Sequence, residues 1–362
     1  MDELSRLRER IDQIDEEVLR LLNERAELAR LIGEIKKKKN MEIHVPERER
    51  AIFEKILRLN REKFGERFPS EALVHIYREI ISACLSLEKP LKIAYLGPKA
   101  TFTHQAALEF FGFSAQYVPC ATIRDVFLEV ESERADYGVV PVENTIEGVV
   151  NYTLDMFLES DLKISGEVVI PISLHLLSNS EDLSEVERVY SHKVALGQCR
   201  KWLEKNLPHA QLIETESTAK ACEIALEEEG SGAVASEVAS YTYHLNILAR
   251  NIQESSDNFT RFLVVSRREI KPTGKDKTSL IFAVRDEPGA LYRALESFYL
   301  KGINLTKIES RPSRKRAWDY VFFVDLEGHK DEEKVREVLE ELKRRTQMVK
   351  ILGSYPKALL SE

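Results

Sequence analysis

Three groups of side chains in this sequence are of types that could do chemistry. The first is Ser255-Ser256-Asp257-Asn258-Phe259-Thr260-Arg261-Phe262, which runs straight into the apolar Leu263-Val264-Val265. Small hydrogen-bonding side chains at the mouth of a buried strand lie where pockets of α/β domains form, and Thr260 leads this group. The plainer alternative is that Asn258 and Thr260 only shape a turn. The second group is charged. Leu4, Leu7, Ile11, Ile14, Val18, Leu21, Leu28, Ile32 and Ile35 recur at steps of three and four, and the step between Leu21 and Leu28 lands on Arg25. A guanidinium in an apolar seam is costly unless an anion meets it. Glu49 shares a stripe with Ile52, Phe53 and Ile56, and Glu88 follows Tyr77, Ile81 and Cys84 at helical spacing. The third group comprises polar clusters where strand patterns end: Pro141 to Gly148 with Asn144, Ser191-His192 followed by Gln198-Cys199, and Ser217 to Ala221. Thr101-Phe102-Thr103 opens a helix whose free amides could receive a carboxylate.

Composition narrows the setting. A chain of 362 residues is too long for one ordinary core and suits two or three domains. With 31% charged residues and a net charge of -8, it reads as a soluble cytoplasmic protein with no reason to expect nucleic acid as a partner, and no apolar run approaches membrane-spanning length. The four cysteines, Cys84, Cys120, Cys199 and Cys222, are too dispersed for a disulfide framework or a Cys-x-x-Cys metal site. No cofactor or metal is expected.

The elements that must position these groups fall into three domains, separated at Glu88-Lys89-Pro90 and at Lys271 to Asp276. Residues 1–88 predict an all-helical domain: a helix over about 3–38, on the order of 50 Å long, a second starting at Pro46 and a third capped by Ser70. So long a helix needs partner helices from elsewhere. Arg25 and Lys36, three turns apart, share a face, whereas Arg8 sits about 100° round and roughly 25 Å along from Arg25. Two antiparallel copies could bring all three to one ligand. Residues 91–270 alternate strand and helix patterns, at Lys92 to Leu96, Tyr137 to Val140, Leu162 to Ile170, Arg188 to Tyr190, Gln211 to Ile213 and Gly232 to Ala235. They predict a two-lobed α/β unit, mainly parallel, with its site between the lobes. Residues 277–355 read as a βαββαβ, ferredoxin-like α+β unit.

Residues 1–88 resemble the all-helical chorismate mutases. The likeness runs through Arg8 in Leu7-Arg8-Glu9-Arg10-Ile11, Arg25 in Leu22-Asn23-Glu24-Arg25, Lys36 after Gly33, Arg48-Glu49-Arg50 after Pro46, and Ile80-Ile81-Ser82-Ala83 leading to Glu88. It implies a pericyclic rearrangement of chorismate in a cationic cage. Arg8 from a partner chain, Arg25 and Arg48 would hold carboxylates or line the cage. Lys36 would face the ether oxygen, Glu49 the substrate hydroxyl, and Glu88 the far side of the ether oxygen. Glu88 would donate only while protonated, which implies an acid-shifted optimum. Val45 stands where many members have Asp, and Cys84, beside the substrate, where many have a small hydroxyl residue. The alternative is a coiled-coil dimerisation module with solvated charges.

Residues 91–270 look like prephenate dehydratase through the Asn144, Ser191-His192, Gln198, Ser217 and Thr260-Arg261-Phe262 clusters taken together. The resemblance implies that Thr260 assists departure of the hydroxyl, that Asn144, Ser191 and Gln198 orient prephenate, and that Arg261 and the amides of Thr101, Phe102 and Thr103 meet carboxylates. His192 is read as a structural hydrogen-bonder. Ala100 replaces a usual Gly, and Lys193-Val194 a usual Pro-Gln. Residues 277–355 resemble an ACT domain through Gly289-Ala290-Leu291-Tyr292 and Glu309-Ser310-Arg311-Pro312. This implies an L-phenylalanine site in which Glu309 or Asn304 receives the ammonium group, and pairing across subunits into a homodimer or a dimer of dimers. Arogenate in place of prephenate stays open as the dehydratase substrate. A non-catalytic carboxylate sensor is the rival reading, and it leaves Arg25, Glu49 and Glu88 unexplained.

Overall fold

The computed structural model describes residues 2–312 and 320–358. The chain forms two compact units, one of residues 1–92 with 110–116 and the other of the remainder.

The first unit is built on three helices, α1 (Glu3–Lys38), α2 (Pro46–Phe64) and α3 (Ser70–Glu88). The Asp2 carboxylate caps α1 by accepting from the Ser5 amide at 2.7 Å, and Lys36, Lys37 and Lys38 lie at its C-terminal end, where the helix dipole favours cations. Both α1 and α2 pack on α3. On α1 only Ala29 and Gly33 are buried, and the apolar seam from Leu4 to Ile35 is about half exposed along its length. Gly33 is required by close approach: a Cβ there would stand 2.9 Å from Glu88 Cγ and 3.2 Å from Glu88 Cα. Ser70 does not cap α3 as expected. Pro69 holds the cap position with φ near its fixed value, and the Ser70 hydroxyl donates instead to Glu66 at 2.5 Å.

Among the described residues the second unit contains three sheets. In chain order the strands are β1 (Lys92–Leu96), β2 (Gln116–Cys120), β3 (Tyr137–Asn144), β4 (Gly148–Val149) and β5 (Lys163–Pro171) in the first. The second holds β6 (His175–Ser178), β7 (Arg188–His192), β8 (Gln211–Thr215), β9 (Ser231–Ala235) and β10 (Asn246–Ala249). Then β11 (Phe259–Ser266) returns to the first, giving the order β2-β1-β3-β11-β5. The expected parallel sheet is therefore mixed. Having crossed to the second lobe and back, the chain inserts β11 antiparallel to both β3 and β5. In the second sheet β8 and β9 flank β7 in parallel, while β6 alone is reversed, pairing antiparallel with β9 on one side and with β10 on the other. The two crossings between lobes are laced together, with the Ile172 amide on Asn258 O at 2.7 Å and the Ile252 amide on Leu174 O at 2.8 Å.

The third sheet, β12 (Asp276–Ala283), β13 (Leu305–Pro312), β14 (Tyr320–Glu327) and β15 (Met348–Pro356), is antiparallel in the order β13-β14-β12-β15. With the helices Ala290–Leu300 and Glu333–Arg345 it realises the βαββαβ order. The start predicted for its third strand, near Ala317, lies outside the described residues. One face packs on the helices through Leu280, Phe282, Val324 and Phe298. The other face shares a core with the first sheet, where Ile281, Phe323 and Leu352 meet Val142, Ile164 and Leu263. Backbone meets backbone there: a Cβ on Gly353 would fall 2.2 Å from Ile164 O.

Candidate active sites

In the helical unit a cavity of about 510 Å³ collects Arg25, Lys36, Arg48, Glu49 and Glu88, with Cys84 and Val45 in its wall. Five charges picked from three separate helical stripes thus converge on one apolar-lined space, floored by Leu28, Ile32, Ile52, Ile81 and Leu85. Glu88 is buried, and its Oε2 accepts from Lys36 Nζ at 3.1 Å; Lys36 also donates to Ile43 O at 2.6 Å. A lysine held by one carboxylate and one carbonyl in a low-dielectric wall is aimed before any ligand arrives. Sequence reasoning missed His44, which is buried in the same wall with Nε2 3.0 Å from Glu49 Oε2. Its position just before the Pro46 helix start was the available signal. Arg8 lies on the exposed N-terminal half of α1 and does not line this cavity.

In the two-lobed part, Asn144, Asn258, Gln198 and Thr260 form one chain of hydrogen bonds. The amides of Ile146 and Glu147 both donate to Asn144 Oδ1 at 2.9 Å, fixing which end of that side chain is the acceptor. Its Nδ2 therefore donates to Thr260 Oγ1 at 2.9 Å and to Asn258 Oδ1 at 2.8 Å. The Thr260 oxygen is used as an acceptor, so its own O–H is left to donate elsewhere. Asn258 in turn donates to Gln198 Oε1 at 3.1 Å, which leaves the Gln198 NH2 to donate elsewhere. Asn258 is almost fully buried and Thr260 nearly so. Asn258 shares Thr260's face by the period of two, a signal that outweighs its reading as a turn residue.

Other candidates sit differently. Ser191 is fully buried and spends its hydroxyl hydrogen on Val234 O at 2.6 Å, outside the network. Thr101 Oγ1 bonds the carbonyls of Leu96 and Pro98, while Phe102 and buried Thr103 form the first turn of the helix Phe102–Phe111. Ala100 holds φ +65° without being glycine; the His104 ring accepts its amide at 3.1 Å and Ser236 donates to its carbonyl at 3.1 Å. His104, stacked 4.7 Å from Tyr95, is lowered to about 4 by burial, with Lys99 adding to the effect. His192 caps the helix Lys193–Gln198, so the Lys193-Val194 departure leaves a helix start in place.

Arg261 requires a correction. Strand alternation turns it to the face opposite Thr260, where it donates to Glu167 at 2.8 Å, Asp325 at 2.5 Å and Tyr355 Oη at 3.0 Å. Burial opposes its charge, but Tyr355, Asp325 and Glu167 outweigh that and hold it well above its ordinary pKa. It is not placed to meet a substrate carboxylate. Arg311 is likewise committed, donating to Asp155 at 3.0 Å. Gly289 adopts φ +77° at the cap of the helix Ala290–Leu300, with Ala290 buried and Leu291 packed on the core. Glu309 is half-buried on β13, Ser310 and Pro312 are exposed, and exposed Asn304 lends its carbonyl to the Glu327 amide.

A caged cavity on a helical unit, a polar network across two α/β lobes and a βαββαβ sheet on the back define a multidomain enzyme of carboxylate substrates. Family models match in the same order: chorismate mutase type II over residues 7–89, prephenate dehydratase over 93–270 and the ACT domain over 278–344. The chain belongs to the bifunctional chorismate mutase/prephenate dehydratases. It is 77% identical to the one from Aquifex aeolicus (strain VF5) across the full length of both, and 44% identical to that of Pseudomonas aeruginosa over 99% of each. The prephenate dehydratase of Arthrobacter aurescens in complex with L-Phe matches with TM-score 0.69 at 34% identity, over 74% of this chain and 90% of that one. GqqA, described as a quorum quenching acylase, also matches at TM-score 0.69, with 29% identity over 74% and 98%.

Proposed function

We propose that the helical unit rearranges chorismate to prephenate and that the two-lobed unit converts prephenate to phenylpyruvate, under feedback control by L-phenylalanine. The observation that carries the first half is the convergence of Arg25, Lys36, Arg48, Glu49 and Glu88 on one cavity. The rearrangement breaks a C–O bond and forms a C–C bond with no net proton transfer. The protein therefore needs only to fold the dicarboxylate into its compact conformer and stabilise charge on the ether oxygen. Lys36 points its ammonium there, Glu88 flanks the far side, Arg25 and Arg48 take carboxylates, and Glu49, steadied by His44, takes the hydroxyl.

In the second step prephenate and one proton give phenylpyruvate, carbon dioxide and water. Thr260, held as an acceptor by Asn144, offers its O–H to the departing hydroxyl, and the Gln198 amide orients the substrate. The half-exposed seam of α1 supports a homodimer, or a dimer of dimers, in which a second antiparallel α1 covers the seam and supplies Arg8, and the setting we propose for it is the cytoplasm. Phenylalanine would bind between the Gly289 turn and the Glu309 region, with Arg311 paired to Asp155 of the helix Asn151–Glu159 rather than to the ligand.

One assay tests the reading. Purified protein is given chorismate, and its loss and the appearance of phenylpyruvate are followed with and without phenylalanine. Chorismate left intact sinks the first half, and prephenate that accumulates unchanged sinks the second. Arogenate supplied in parallel decides the dehydratase substrate.

A further inference from the structure

The candidate dehydratase residues have neighbours that face the other way. Thr260 pairs across the sheet with Asn144, and Arg261 pairs with Glu143. Alternation puts Asn144 and Thr260 on one face, and Glu143 and Arg261 directly behind them. Across the shared core, Lys307 of β13 pairs with Asp325 of β14. The two pairs meet: Lys307 Nζ lies 2.6 Å from Glu143, and Arg261 2.5 Å from Asp325. Each cross-sheet contact joins opposite charges, and within each sheet the paired residues are also opposite in sign. Lys307, Arg261 and Asp325 are largely withdrawn from water. A cavity of only about 20 Å³ lies beside them, so there is little room to slide. Ser279 ties Asp325 to Tyr355 at 2.5 and 2.6 Å, and Glu167 holds Arg261 and Lys277 together.

We infer that this four-charge square is a positioning device, by which the βαββαβ sheet sets the placement of Asn144 and Thr260 from behind. Lys307 and Asp325 are then positioning residues for the dehydratase reaction although neither faces the substrate. The inference rests on the reading that Asn144 and Thr260 act on the substrate. Lys307 lies two residues before Glu309 on β13, so an effector that shifts the Glu309 to Pro312 segment moves the same strand that holds Glu143. Inhibition and catalysis would thus share one mechanical contact, and breaking it should disturb both.

The test uses the full-length protein. Lys307→Met should lower dehydratase kcat about tenfold while KM for prephenate stays within about twofold, as expected when a reacting group is misplaced and the groups that bind substrate are left intact. The half-inhibitory phenylalanine concentration should shift about threefold or more, since coupling through a shared element goes with it. Mutase kcat should stay unchanged. Lys307→Arg, which keeps the charge, should restore kcat, and Lys307→Met/Glu143→Gln should do no more harm than Lys307→Met alone. If Lys307→Met does not fold, Asp325→Asn decides, since it keeps the shape and removes the charge. A folded Lys307→Met or Asp325→Asn protein with wild-type dehydratase kcat and wild-type phenylalanine response overturns the inference. Failure of the underlying reading shows separately, as a Thr260→Ala protein with undiminished dehydratase activity.

Discussion

Replacing Gly33 by alanine separates helix stability from mutase chemistry. The new methyl would stand 2.9 Å from Glu88 Cγ and 3.0 Å from Glu88 Cβ, with the Glu88 backbone at 3.2 Å. Alanine favours the helix by about 1 kcal/mol over glycine, whereas overpacking costs about 1–3 kcal/mol, so net stability should fall by about 2 kcal/mol at most. Activity should respond far more. Moving Glu88 breaks its 3.1 Å bond to Lys36 and displaces both groups from the place proposed for the ether oxygen. A hydrogen bond to a charged group contributes about 1.5–3 kcal/mol, so mutase kcat should fall roughly 10- to 150-fold. The assay is the initial rate of chorismate loss, alongside thermal unfolding and prephenate turnover as controls. Gly33→Ala protein with normal mutase kcat would show that Glu88 and Lys36 need not hold their observed places, and the proposed mechanism would fail with it.

The remaining predictions address the second unit and the assembly. Thr260→Ala should reduce dehydratase kcat about 100-fold or more and spare the mutase, and a normal rate of phenylpyruvate formation would refute its role. Asn144→Asp should be nearly as harmful, because a carboxylate would accept the Thr260 proton that the amide leaves free; retained activity would refute the assigned hydrogen-bond direction. For His104, folded pKa about 4 lies below the ordinary 6.5, so the unfolded chain binds the extra proton between those values. Its contribution is complete above pH 6.5 and is lost as pH falls toward 4, by roughly 2 kcal/mol after allowing for partial solvation, and His104→Gln should flatten urea midpoints measured between pH 7 and 4. Leu7→Glu with Ile14→Glu should abolish the mutase and lower the oligomeric state seen by sedimentation; full mutase activity in a protein whose α1 pairing is lost would refute the need for a second α1.

Periodicity carried most of what could be read beforehand. The seam with Arg25 in it, and the stripes bearing Glu49 and Glu88, point to the charged cavity of the helical unit because a charge on an apolar face demands an opposite charge to meet it. The resemblance misleads at Arg261, which it implies would meet a substrate carboxylate. In a strand, adjacent residues point to opposite faces, and Arg261 serves a core that includes Asp325 and Tyr355, far along the chain. No local pattern announces such a partner. The mixed order of the sheet is hidden for a related reason: strand patterns carry no arrow, and only the return crossing reverses β11. One histidine before a helix start, such as His44, carries no periodic signal.

The laced crossings behind Asn258 have a mechanical meaning. Any rotation of the second lobe against the first must turn about this doubled ribbon, whose rungs include the Ile172 amide on Asn258 O. A residue on a pivot travels little, while one on the swinging arm travels far. Asn258 and its neighbour Thr260 therefore stay fixed to one frame, Gln198 rides on the other, and the 3.1 Å link between Asn258 and Gln198 gauges the angle between the two.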